Sequence, residues 1–119
     1  MAQHNILGKK GEEIAVRYLK DKGYEILKQN YRHGHDEIDI VAKIIDELVI
    51  VEVKTRSSSY FGYPEEAVDL KKQKFLIRAA EAFIEEYDYD MNIRYDIISI
   101  ILKNNDISIR HIEDAFYPE

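Results

Sequence analysis

The sequence predicts an α/β or α+β sandwich, a mostly antiparallel central meander of strands with helices packed on it. Three observations point there. Two stretches carry apolar residues at helical spacing. Three runs between them alternate or concentrate Val, Ile and Leu as strands do. Two more such runs follow the second helix, so the order is helix, three strands, helix, two strands.

The first helix is predicted from about Gly8 to Lys22, because Leu7, Ile14, Ala15, Tyr18 and Leu19 cluster on one face. Gly23 follows its last turn as a C-cap. Tyr24 to Leu27 suggests a first strand, and Asn30 to Asp36 a polar connection containing His33-Gly34-His35. Two central strands are expected at roughly 37–45 and 48–55. Thr55 to Pro64 is rich in Ser and Gly and marks a loop. Asp69 is the expected N-cap of a second helix from about Leu70 to Tyr87, with Leu76, Ala79, Ala80, Phe83 and Tyr87 as its apolar stripe. Asp88 to Asn92 breaks the pattern. Ile93 to Leu102 and Ile107 to Ile112 read as strands joined by a turn at Asn104-Asn105-Asp106. No repeat, linker or low-complexity segment appears.

At 119 residues the chain has the length of one domain with one core. It has no cysteine, which removes disulfides and thiolate metal sites from consideration. No apolar stretch approaches the roughly 20 residues that span a bilayer, and Met1-Ala2-Gln3-His4-Asn5 lacks a signal-peptide pattern. A soluble cytoplasmic protein is expected. The net charge of −6 argues against broad electrostatic adhesion to nucleic acid, but not against a local basic groove or a metal-mediated phosphate contact.

Charges inside the central strands are the most informative feature. Asp39 lies within Glu37-Ile38-Asp39-Ile40-Val41, and Glu52 and Lys54 within Val49-Ile50-Val51-Glu52-Val53-Lys54. Charges in apolar strands are costly unless paired, hydrogen-bonded or bound to metal. A hairpin turning at Asp46-Glu47 sets Asp39 opposite Lys54 and Val41 opposite Glu52. Asp39, Glu52 and Lys54 then share one face, with Asp39 and Glu52 as diagonal neighbours roughly 7–8 Å apart. Carboxylates so placed suit Mg²⁺ or Mn²⁺, and a lysine beside them suits a phosphodiester under attack. A cross-strand Asp39–Lys54 salt bridge on a solvated face is the plainer alternative.

Other residues can join this site. Glu12 flanks the apolar stripe of the first helix while Glu13 points away, so Glu12 is the better candidate, although a first-turn acid also suits the helix dipole. Lys72 and Gln73 fall near the inward face at the start of the second helix, where phosphate binds well; an ordinary solvated lysine run is the alternative. Arg56 with Tyr60, Phe61 and Tyr63 can grip a nucleic-acid strand by charge and stacking, or simply pin the loop. His33 and His35 lack further ligands nearby and read as loop histidines.

With these residues the chain resembles a bacterial family of small proteins, the UPF0102 or YraN-like family. The family is described as predicted endonucleases distantly similar to archaeal Holliday junction resolvases. The resemblance runs from about Gly8 to Ile100. It rests on Gly8-Lys9-Lys10-Gly11-Glu12, Ala15, Tyr18-Leu19, Gly23-Tyr24, Asn30, Arg32 and Glu37-Ile38-Asp39. Val51-Glu52-Val53-Lys54-Thr55-Arg56 is its most specific piece; Phe61-Gly62, Pro64, Glu66-Ala67-Val68, Lys72 and Arg94-Tyr95-Asp96 complete it. It implies a restriction-endonuclease-like fold, with a mixed central β-sheet flanked by helices. It also implies a metal-dependent site carried here by Glu12, Asp39, Glu52 and Lys54. Asp36 stands where the family usually has glycine, which leaves the start of that strand open: it can alter the turn or add a carboxylate.

The resemblance implies an endonuclease using Mg²⁺ or Mn²⁺ on DNA, branched or damaged structures included. Glu12, Asp39 and Glu52 would hold the metal, and Arg56, Tyr60, Lys72 and Gln73 would touch nucleic acid. Two other readings stand beside it. One is a non-catalytic nucleic-acid-binding module that keeps the site as a clamp. The other is an interaction subunit that cuts only with a protein partner, docked through the loop at Ser57 to Pro64. Resolvases of this fold act as homodimers; Tyr87, Tyr89, Met91 and Tyr95 are candidates for a dimer surface and equally for the core.

Overall fold

A computed structural model gives the architecture and describes residues 2–58, 62 and 64–118. The chain runs α1 (Ala2–Asp21), β1 (Glu25–His33), β2 (Asp36–Ile44), β3 (Glu47–Arg56), a 3₁₀ turn at Pro64–Ala67, α2 (Leu70–Tyr87), β4 (Asn92–Lys103) and β5 (Asp106–Phe116). The strands form one sheet in the order β1-β2-β3-β4-β5. All neighbours are antiparallel except β3 and β4, which are parallel and joined by the crossover through α2. This is a mixed sheet flanked by helices, an α/β fold consistent with a restriction-endonuclease-like arrangement. No helix among the described residues is long and apolar enough to cross a membrane.

Each sheet face has its own core. On one, Leu76, Ala79, Ala80 and Phe83 of α2 pack on Ile38, Val41, Leu48, Ile50 and Tyr95. On the other, Ala15 and Leu19 of α1 pack on Ile40, Ala42, Val49, Val51, Ile98 and Ile100. β3 is covered on both faces, which is why it reads as a continuous apolar run.

Local signals place most boundaries. Asp69 caps α2 by accepting from the Lys72 amide at 2.9 Å. Gly23, at φ +94°, ends α1; its amide donates to the Lys20 carbonyl and that of Tyr24 to Leu19. Other boundaries depart from expectation. α1 starts at Ala2, so Gly8 and Gly11 lie within it. β1 continues through the stretch expected as a polar connection and turns only at Gly34-His35. β5 runs on to Phe116. Of the candidate dimer residues, Tyr95 is buried, Tyr89 and Met91 pack against the α2-side core, and Tyr87 is half-exposed with its ring against Tyr31 and Phe83.

The β2–β3 hairpin corrects the expected register. Ile44 pairs with Glu47 and Ile40 with Val51, so the turn is Ile45-Asp46, not Asp46-Glu47. Val41 faces Ile50 rather than Glu52, and Asp39 does not face Lys54. The shift is two places along the ladder, so every residue of the paired stretch, 40–44 and 47–51, keeps its face. Glu47, expected in the turn, is a strand residue whose carboxylate meets Arg94 of β4 at 3.4 Å.

Candidate active site

The β2–β3 ladder stops at Ile40–Val51. Beyond it β2 changes face, because Ile38 belongs to the α2-side core while Ile40 and Ala42 belong to the α1-side core. Asp39 lies at this slip. Its carboxylate does what a strand carbonyl would have done: Oδ2 accepts from the Val53 amide at 2.8 Å. The strands splay here, and Asp39 fills the gap with its side chain.

One rung on from Ile40–Val51, Asp39 adjoins Glu52. Asp39 is pushed well above the ordinary carboxylate value by burial first and by the Glu52 charge second, against the pull of the Val53 amide. Glu52 is buried; Lys54 Nζ and Lys72 Nζ each stand 3.5 Å from its Oε2. Its Oε1 is buried with no hydrogen-bond partner among the described residues. Glu12 completes the group electrostatically. Its carboxyl is raised by burial, then by the Glu37 and Glu52 charges, against a hydrogen bond with Asn30.

α1 reaches this point because Gly11 has no side chain. A Cβ there would strike Thr55 Oγ1 and lie 2.9 Å from Thr55 Cβ. The helix therefore sits tight on the end of β3, with Glu12 beside the splayed strands.

Among the described residues no three His, Asp or Glu side chains form a ready three-ligand cage. The residues present do fit a hard dication held by fewer protein ligands. Two adjoining carboxylates repel each other, and a buried Glu52 oxygen has a free lone pair. Mg²⁺ is typically held by one or two carboxylates, with water and phosphate completing its shell.

Other expected site residues fall at varied distances from this centre. Lys72 is in it. Gln73, one residue on, spends its amide on the Val68 carbonyl at 3.2 Å. Arg56 is exposed, with Nη1 donating to the Thr55 carbonyl at 3.4 Å. Tyr60, Phe61 and Tyr63 lie outside the described residues. His33 and His35 are exposed at the β1–β2 turn. Asp36 adds no fourth carboxylate: it is buried and bound through both oxygens by Arg78, at 2.7 and 3.0 Å.

The model of the "Uncharacterised protein family UPF0102" matches residues 11–100. A UPF0102 protein of Bacteroides thetaiotaomicron is 54% identical over 118 residues, covering 99% of this chain and 98% of that protein. Others from Christiangramia forsetii and Phocaeicola vulgatus are 49% and 46% identical, each over 98% or more of both chains. The chain belongs to the UPF0102 family. Glu12, Asp39, Glu52, Lys54 and Lys72 all fall inside the family match, and so do Arg94 and Asp96 of a second polar cluster that strand reasoning missed.

That cluster lies on the α1 side of the UPF0102 sheet. Asp96 is fully buried and accepts from Arg94 Nε at 2.9 Å and Nη2 at 2.8 Å, and from the Asp114 amide at 3.0 Å. His111 Nε2 is 2.7 Å from it, and His111 Nδ1 is 3.2 Å from Tyr18 Oη. Arg94 also reaches Tyr24 Oη at 2.6 Å. Burial pushes the Asp96 carboxyl up, but His111 and Arg94 outweigh it and hold it below its ordinary value. The signal was present in Arg94 and Asp96, two charges inside an apolar strand. The cluster joins α1, the α1–β1 connection at Tyr24, β4 and β5, and shares no residue with the Asp39–Glu52 site.

Proposed function

We propose that this UPF0102 protein is a metal-dependent endonuclease that hydrolyses phosphodiester bonds in DNA, branched or damaged structures included. The observation that carries the reading is the Asp39–Glu52 pair: two crowded carboxylates, one oxygen unpartnered, with two lysines against them. Asp39 and Glu52 would hold Mg²⁺ or Mn²⁺, with Glu12 on α1 adding negative charge nearby rather than a direct ligand. When bound, the ion supplies Lewis acidity toward the phosphoryl oxygen and a more acidic water.

The chain's own residues do the rest. The Val53 amide fixes Asp39 Oδ2, so the remaining oxygen is presented at a set angle. Lys54 and Lys72 place positive charge where a phosphate gains negative charge on attack. Lys54 is part-exposed and stands closest in sequence to the carboxylates, which suits it to position the attacking water.

The test is cleavage of labelled four-way junction, flap, duplex and single-stranded DNA by pure protein with Mg²⁺, Mn²⁺ or EDTA, run beside Asp39→Asn. Metal-dependent cutting that disappears in the folded variant is the expected result. Undiminished metal-dependent cutting by Asp39→Asn overturns it. Binding without turnover in any divalent cation replaces catalysis with a phosphate clamp.

A further inference from the structure

The charges on α2 run against its own dipole. All four basic residues, Lys71, Lys72, Lys74 and Arg78, lie in its first half; the acids Glu81, Glu85 and Glu86 lie in its second. Its first turn has no acid and its last no base. A helix macrodipole favours the reverse, acids at the N-terminus and bases at the C-terminus. Lys72 is paired with Glu52, but no carboxylate among the described residues lies in ion-pair range of Lys71 or Lys74, both exposed. The arrangement is unfavourable for the isolated chain and favourable once an anion lies along this face.

The same face is shaped for an extended ligand. Lys71 and Arg78 both lie over the Phe75 ring, at 5.9 and 5.1 Å from its centroid. Lys74, Ile77, Arg78 and the acid Glu81, which marks the end of the basic stretch, line a groove bordered by Tyr117 and Pro118. Tyr117 and Leu70 are two-thirds exposed. Asp36 holds Arg78 through Nε and Nη2, leaving the rest of the guanidinium fork outward. It also fixes the β1–β2 turn to α2, and His33 and His35 lie near enough to help hold its carboxyl low. Asp36 therefore has a positioning role, tying Arg78 to the start of β2.

We infer that the first half of α2 is a nucleic-acid backbone track, leading phosphates from the Asp39–Glu52 site past Lys71 and Lys74 to Arg78. This inference rests on the nuclease reading for its direction, but binding tests it without any cleavage. From Lys71 to Arg78 the helix rises about 10 Å, the axial length of roughly three nucleotides.

The experiment is binding of labelled duplex, junction and single-stranded DNA, and of RNA of the same sequence, in EDTA and in Ca²⁺, across a salt series. Wild type is compared with Lys71→Ala/Lys74→Ala and with a control, Lys20→Ala/Lys103→Ala, which removes the same charge elsewhere. Loss of two phosphate contacts lowers the salt slope by about 2 and weakens binding at least tenfold at low salt. The control leaves the slope unchanged. The α2 variant keeps a Tm equal to or above wild type, because the removed cations opposed the dipole. An equal fall in slope for both variants, unchanged binding by the α2 variant, or no binding of any nucleic acid by wild type overturns the inference. Absence of cleavage alone bears on the nuclease reading and leaves this one standing.

Discussion

Asp39 and Glu52 meet one rung beyond the last pair of the β2–β3 ladder, where burial and the Glu52 charge make the charge on Asp39 costly. The splay between the strands lets Asp39 turn inward to the Val53 amide instead of continuing the alternation. A dication held by these residues, as proposed, would offset that cost.

The pH dependence of stability follows. Burial and neighbouring acids raise Asp39 and Glu12, so the folded chain holds protons that the unfolded chain releases. That contribution is lost as pH rises from the ordinary carboxylate values of 3.8 and 4.5 through the raised folded values. Asp36, lowered by Arg78, acts oppositely, as does Asp96: their stabilisation is present above 3.8 and lost as pH falls through their folded values. Metal-free protein should therefore be most stable in mildly acidic solution and decline toward neutral pH. Thermal melts against pH read this. Mg²⁺ or Mn²⁺ should abolish the decline, and Asp39→Asn should flatten it without metal while losing the metal's stabilising effect.

Gly11→Ala should destabilise the fold by about 1–3 kcal/mol, the usual cost of overpacking. The added methyl meets the Thr55 side chain, so α1 must move off β3 and carry Glu12 away from Glu52. Activity should fall more than stability alone explains. Thr55→Gly in the same chain should restore both in denaturant melts and cleavage assays. A Gly11→Ala protein as active and stable as wild type would show that the close approach has no consequence.

Asp96→Asn should cost about 2–3 kcal/mol, because it leaves the largely enclosed Arg94 with only the longer contacts to Glu47 and Glu113. Arg94→Met in the same chain should recover part of that loss. Urea unfolding of the two single variants and the double variant measures the coupling.

Ile45 is 89% exposed and holds φ +56°, a conformation that disfavours a β-branched residue. Ile45→Gly should stabilise the protein by about 1 kcal/mol, since no buried contact is lost and left-handed strain is removed. A lower denaturation midpoint for this variant would mean that Ile45 makes a stabilising contact.

The sequence alone determined the order of elements, α2 with its Asp69 cap, and the candidacy of Glu12, Asp39, Glu52 and Lys54. These follow from local chemistry: apolar periodicity, capping, and the cost of charge in an apolar strand. It did not determine the hairpin register. Moving the turn from Asp46-Glu47 to Ile45-Asp46 leaves each residue of the paired stretch on its face, so the hydrophobic pattern is the same for both. Glu47 is a strand residue paired with Ile44 and Asn92, and its carboxylate meets Arg94, 47 positions away. Tertiary structure likewise decided that Asp39 replaces a backbone rung, that Lys72 reaches Glu52 from α2, that Asp36 is taken by Arg78, and that Asp96 is enclosed by Arg94 and His111. Most of these bring together groups from separate elements. One-dimensional spacing carries face and period, but not which long-range partner satisfies a buried charge.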